Sequence, residues 1–394
     1  MINTFNIIIL FLSINILWTF YKIIKIYFYI WHNNKNLKNK IKNKYIFLIP
    51  WYKEQSIVNE TLSYYKTILD LSDNIELIFI TSIDENKIWN ITTREKIELF
   101  IEKNEKLSKK ISIFENNNPI NENKAKKINY ALSLLRNKYD LSEYIVGIFD
   151  FDARFSIEWF QYLDNISNEK YVLFQFVPLP NINFWNLISY IGNIYHLKRV
   201  FSYELYNIYL EYCMWASMFL KWEYLKYNDI TEPIDDISLW YKLIIQGHKK
   251  ITLPYFTYVS IPNNTKDIFN QMLPVYYWIF SYFKLLNSLK NNKIKFYILW
   301  FLLYLRILWE YIIIIFFLAF LFLNINVFIF FLLLYIIEGF IYIYFYNKIW
   351  NTKISLLWIF LYIFWIFLRI SLFIYFILNL IFKFKVLHNI KTTR

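Results

Sequence analysis

Two carboxylates two residues apart, Asp150 and Asp152, follow directly on the apolar run Tyr144 to Phe149 in a chain of 394 residues. In a strand, residues i and i+2 point the same way, so such a pair at a strand end converges on one point. Two hard carboxylate oxygens beside open positions suit Mg²⁺ or Mn²⁺ shared with a phosphate, because these ions take few protein ligands. A solvated turn is the alternative, since aspartate is ordinary there. A second acidic pair, Asp235 and Asp236, opens an apparent helix that ends near Gln246 and Gly247. Acids at a helix N-terminus complement its dipole without any chemistry. Read as chemistry, a carboxylate such as Asp236 is a natural base for a hydroxyl nucleophile.

The elements that must position these residues alternate. Short apolar runs at Tyr45 to Ile49, Ile75 to Ile80, Ile111 to Phe114, Tyr144 to Phe149 and Tyr171 to Phe176 read as strands. Between them, Ile57 to Leu69, Thr92 to Lys109 and Lys124 to Lys138 read as helices. Strand and helix in alternation predict an α/β domain, a doubly wound and mostly parallel sheet with helices on both faces. Ligands of such sheets bind beyond the carboxyl ends of the strands, where Asp150 and Asp152 fall.

Hydrophobic residues make up 57% of the chain and aromatics 23%, which is too apolar for a wholly soluble protein. Residues 5–31 are expected to form a transmembrane anchor, and 32–44 a lysine-rich linker that keeps the adjoining domain in the cytosol. The α/β domain then occupies 45–262 and an interfacial helical segment 263–292. Residues 296–382 hold about three carboxyl-terminal transmembrane helices, before a basic tail at 383–394. One span before the domain and three after it put the basic tail outside, against the positive-inside tendency, so span number and the side of the carboxyl terminus stay open. Arg306, Glu310, Glu338 and Arg369 lie inside these apolar stretches and are expected to pair with one another. The net charge of +13 collects beside apolar spans, which points to anionic lipid and not to nucleic acid. One cysteine excludes an intramolecular disulfide, and the four histidines have no metal-ligand spacing.

Around the first strand the chain reads Ile49-Pro50-Trp51-Tyr52-Lys53-Glu54; later come Lys124 to Leu132, Phe149 to Phe155, Thr231 to Leu239, and Gln271 followed by Trp278. In order and spacing, residues 45–278 resemble the family-2, GT-A-fold glycosyltransferases, especially the membrane-anchored group of chitin, hyaluronan and cellulose synthases. The resemblance implies a GT-A-like fold in which Pro50, Tyr52 and Glu54 lie beside the nucleotide base and Lys124 and Asn129 contact the nucleotide. It implies that Asp150 and Asp152 bind the diphosphate through Mg²⁺ or Mn²⁺, and that Asp235 and Asp236 supply the catalytic base. Gln271 and Trp278 would meet the acceptor.

Transfer from a nucleotide-sugar asks for neutralised leaving-group charge and a base at the incoming hydroxyl, and a single displacement inverts the anomeric centre. Ile80-Thr-Ser-Ile-Asp84 replaces the acidic turn usual after the second strand, and the stretch from Gln271 to Trp278 lacks the arginine of the synthases. The expectation is therefore an integral membrane glycosyltransferase with a cytosolic domain, passing one sugar to a lipid-linked or membrane-proximal glycan. A processive polysaccharide synthase and a catalytically degenerate membrane scaffold are the alternatives.

Overall fold

A computed structural model describes residues 41–51, 57–83, 91–117, 124–138, 141–155, 157–167, 170–180, 217–230 and 246–259, with isolated positions elsewhere. The chain divides into two compact units, one of Asn36–Leu179 with Tyr212–Ser260, the other of Met1–Lys35, Pro180–Glu211 and Ile261–Arg394.

The first unit is built on one mixed sheet. Its strands are β1 (Lys44–Pro50), β2 (Ile75–Ser82), β3 (Ile111–Asn116), β4 (Tyr144–Phe149), β5 (Arg154–Phe155), β6 (Tyr171–Pro180), β7 (Ser217–Lys221) and β8 (Lys249–Val259). They lie in the order β3-β2-β1-β4-β7-β6-β8-β5. β1 pairs parallel with both β2 and β4, and β2 with β3. β7 runs antiparallel to β4 and to β6. Tyr45 to Ile49 are all buried, as a strand covered on both faces requires.

Three helices make the parallel crossovers: α1 (Val58–Leu69), α2 (Thr93–Glu102) and α3 (Lys124–Lys138). Val58, Leu62 and Tyr65 of α1 and Ile97 of α2 share one core with Tyr45, Phe47, Ile49, Phe79 and Phe149. Strand alternation turns Ile46 and Leu48 to the other face, and α3 packs across β1, β2 and β3. The direction of winding therefore reverses between β1 and β4, opening a crevice at their carboxyl ends. Leu48 stands opposite Ile148, and continuing that register sets Pro50 level with Asp150.

Local chemistry explains where the helices stop and start. Thr92 accepts from the Glu95 amide at 3.1 Å while Glu95 accepts from the Thr92 amide at 2.8 Å, a capping box that opens α2. The helix expected to run to Lys109 ends at Glu102, where Asn104 donates its side-chain amide to the Phe100 carbonyl and a 3₁₀ turn, Glu105–Leu107, comes next. Further on, α4 (Ile157–Ile166) and α5 (Trp222–Leu225) complete the unit. Asp164 of α4 is buried and accepts from the amides of Lys42 and Asn43, both at 2.9 Å, and from the Tyr45 hydroxyl at 3.1 Å, which fixes the start of β1.

The core around β4 is aromatic. Phe149 packs on Phe47 and Phe219 at centroid distances of 5.0 and 5.1 Å. A Cβ at Gly147 would lie 2.6 Å from the Phe149 ring and 2.9 Å from that of Phe219, so these rings demand glycine there.

In the second unit only isolated positions are described. Leu17, Tyr21 and Ile24 are helical and exposed, as are Ile329, Leu333, Ile337, Phe340 and Tyr344. Among the described residues no helix is long and apolar enough to cross a membrane, and the expected spans lie almost wholly outside them.

Candidate functional site

Asp150 and Asp152 lie past the end of β4, in a turn closed by the Ala153 amide donating to the Asp150 carbonyl at 3.0 Å. Strand alternation therefore does not bring them together; one four-residue turn carries both. Nor is the turn solvated. Phe151 between them is buried against Trp51, Asp152 is buried, and the Asp150 side chain is 23% exposed.

α1 and Arg154 hold this turn from beneath. Arg154 donates through Nη1 to the carbonyls of Phe151 and Ala153 at 3.0 and 3.1 Å, and through Nη2 to Thr61 Oγ1 at 2.7 Å. Its guanidinium lies over the Tyr64 ring, 4.9 Å from the centroid, which adds a cation–π contact. The Tyr64 hydroxyl donates to the Phe155 carbonyl and accepts from the Phe155 amide, both at 2.8 Å. Burial holds the Tyr64 phenol well above the usual range, so it stays protonated and keeps its donor. The segment from Phe151 to Phe155 is thus bonded at successive backbone groups.

From the opposite face, α3 reaches both strands of the crevice. Lys124, its first residue, forms an ion pair with Asp150 Oδ1. One turn on, Lys127 is buried and donates to the Trp51 carbonyl at the end of β1. The first turn of α3 carries no acid, so two lysines and the positive helix end gather where a helix ordinarily favours anions. That arrangement can hold an anionic ligand. At the ends of β1 and β2, Trp51 Nε1, Thr81 Oγ1 and Ser82 Oγ are buried with no hydrogen-bond partner among the described residues.

Asn129 is committed elsewhere: its amide nitrogen donates to the Ile230 carbonyl and its oxygen accepts from the Ile230 amide, both at 2.8 Å. These two hydrogen bonds fasten α3 to the chain leading to Asp235. Arg136 of α3 reinforces it through Asp229, at 2.7 Å, and the Asn228 carbonyl, at 3.1 Å. Beyond, Leu239 and Leu243 are helical and buried. The helix ends where Gly247 takes φ 81° and the His248 amide returns to the Leu243 carbonyl at 2.9 Å, a Schellman closure.

Of the expected site residues, the structure brings Pro50, Lys124, Asp150 and Asp152 to one crevice end. Tyr52, Glu54, Asp235, Asp236, Gln271 and Trp278 lie outside the described residues. Sequence reasoning did not single out Thr61, Tyr64, Lys127 or Arg154. A signal for Lys127 was there: it shares an i, i+4, i+8 line with Ala131 and Leu135, the buried stripe of α3. The two carboxylates of the turn fit Mg²⁺ or Mn²⁺, since a pair of hard oxygens leaves most of the coordination sphere to phosphate and water. Among the described residues no group of three or more metal-ligating side chains gathers.

No known family profile matches the chain, and no curated protein matches it in sequence. Solved structures do align with it. A mannosyltransferase from Pyrobaculum calidifontis, in complex with GDP-Man and Mn²⁺, is 15% identical with a TM-score of 0.41, over 64% of this chain and 68% of that one. A protein assigned as a glucose-1-phosphate thymidylyltransferase from Bacillus anthracis, in complex with a sucrose, is 13% identical with a TM-score of 0.33, over 56% and 87%. Both scores are too low to establish a shared fold.

Proposed function

We propose that the chain is an integral membrane glycosyltransferase of the GT-A-like, family-2 kind, which moves a sugar from a nucleotide-sugar to a lipid-linked or membrane-proximal glycan with inversion. The observation that carries this reading is the meeting of the Asp150–Ala153 turn with Lys124 and Lys127 at the crevice between β1 and β4. Carboxylates for a divalent cation and ammonium groups for a diphosphate stand together at the place where a doubly wound sheet binds its ligand.

Asp150 and Asp152 would hold Mg²⁺ or Mn²⁺, which when bound neutralises charge on the leaving diphosphate. Lys124 adds positive charge at the same phosphates, and Lys127 fixes the backbone from which Tyr52 and Glu54 reach the nucleotide. Asp236 takes the proton of the acceptor hydroxyl, with Asp235 beside it. The anchored Ile230 lies five residues before Asp235, so the strand of chain carrying the base starts from α3 itself. Attack from the face opposite the leaving group inverts the sugar. Gln271 and Trp278 are assigned to the acceptor.

Membrane attachment is supported by the exposed apolar side chains of Leu17, Tyr21 and Ile24 and by those from Ile329 to Tyr344, spaced by three and four as one helix face. In this reading the domain at 45–262 lies in sequence between an anchor at 5–31 and helices at 296–382, and catalysis is cytosolic.

The test is transfer from a panel of radiolabelled UDP- and GDP-sugars into lipid extract by purified full-length chain, with Mn²⁺ or Mg²⁺, beside an Asp236→Asn variant. A labelled lipid product of inverted configuration that the variant does not form supports the reading. Labelled product from neither, with donor still bound, favours a membrane scaffold.

A further inference from the structure

A divalent cation on Asp150 would compete with the ammonium of Lys124. The ammonium is bonded to Asp150 Oδ1, and the two side chains are 25% and 23% exposed, so water screens the pair only in part. A cation placed on that oxygen would meet a like charge within van der Waals range, and the ammonium must leave first. A diphosphate draws it away. It offers several anionic oxygens at the positive end of the helix, where Lys124 already stands, and it is itself a ligand for the cation.

We propose that Lys124 occupies Asp150 in the ligand-free protein and passes to the diphosphate when the nucleotide arrives, so that cation and nucleotide are taken up together and the cation alone is refused. This rests on the glycosyltransferase reading and adds to it a residue that sets the order of binding. The two ligands are then coupled through one side chain, and the coupling is reciprocal: each raises the affinity of the other by the same factor. Lys126 shares the same helical turn but is exposed, so it serves as the control for a general loss of positive charge.

The experiment uses the purified full-length chain in detergent micelles and reads free Mn²⁺ from the electron paramagnetic resonance signal of the aqua ion. Mn²⁺ is titrated alone, with UDP and with GDP, for wild type, Lys124→Met and Lys126→Met. Wild type binds Mn²⁺ alone weakly, and a nucleoside diphosphate tightens it by about tenfold or more. Lys124→Met binds Mn²⁺ alone about tenfold more tightly than wild type, the factor that one charge-assisted contact carries, and loses most of the nucleotide's enhancement. Removing a cation from a helix N-terminus favours the helix, so the variant folds. Lys126→Met behaves as wild type. If Lys124→Met shows wild-type affinity for Mn²⁺ alone, or if Lys126→Met shifts as far, the exchange is overturned while nucleotide binding by wild type leaves the glycosyltransferase reading in place. Wild type that binds neither UDP nor GDP at any Mn²⁺ concentration removes both.

Discussion

Replacing Lys127 by methionine separates stability from binding. The variant removes an ammonium that is buried and donates to the Trp51 carbonyl. Leaving that carbonyl without this donor costs about 1–3 kcal/mol. Releasing a desolvated charge returns several kcal/mol, of the same order, so the two nearly cancel and stability moves by about 1 kcal/mol or less. Binding has no such compensation. Lys127 lies three residues beyond Lys124, about 4.5 Å along the helix axis, so about 8 Å is taken as the working distance from its charge to a phosphate bound at Lys124. At an effective dielectric constant of about 20, one unit charge at that distance contributes about 2 kcal/mol, or a factor of about 30 in affinity. The assay pairs isothermal titration with the nucleoside diphosphate and thermal unfolding of the same full-length preparation. Lys127→Arg, which keeps the charge, recovers much of the affinity. Nucleotide affinity unchanged in Lys127→Met would refute the reasoning, as would a fall in affinity matched by a fall in melting temperature of many degrees.

Neighbouring tyrosines on α1 give opposite expectations: Tyr64→Phe strips both bonds to Phe155 and lowers stability by about 1–3 kcal/mol, whereas Tyr65→Phe, which removes a buried hydroxyl without a partner, leaves stability equal or about 1 kcal/mol higher in thermal unfolding. Because Tyr64 sits over Arg154, which holds the Asp turn, its loss also weakens Mn²⁺ binding in the presence of nucleotide, a readout Tyr65→Phe does not move. Gly147→Ala forces Phe149 and Phe219 apart and destabilises by about 1–3 kcal/mol, measured as a lower unfolding midpoint. Burial raises the phenols of Tyr45, Tyr64 and Tyr65, so the folded protein keeps protons that the unfolded chain loses above about pH 10. Their contribution is fully present below that pH and is lost as pH rises beyond it; unfolding midpoints that stay level from pH 9 to 11 contradict this.

What the sequence disclosed was local. β1 to β4 and the helices between them arise from apolar runs and helical spacing, and β4 and α3 carry the same limits in sequence and structure. β7 is not among the strands read from the sequence, because Ser217-Met-Phe-Leu-Lys is brief and nothing nearby marks it. Its place beside β4 is fixed by Phe219 meeting Phe47 and Phe149, residues far away in the chain. The same holds for the site. Asp150, Asp152 and Lys124 were legible as types at a spacing, but the clamp of Thr61, Tyr64 and Arg154 is made across separations of 91 and 93 residues. The two hydrogen bonds of Asn129 to the Ile230 backbone are equally non-local, joining positions 101 residues apart.

The central claim is that the turn of Asp150 and Asp152 makes this chain consume a nucleotide-sugar. Its most direct test is release of nucleoside diphosphate from UDP- and GDP-sugars by purified full-length protein in lipid, compared with Asp150→Asn, Asp152→Asn. Metal-dependent release that falls about a hundredfold or more in the double variant, with its unfolding midpoint unchanged, is the predicted result. Release at an equal rate in both proteins would contradict the account.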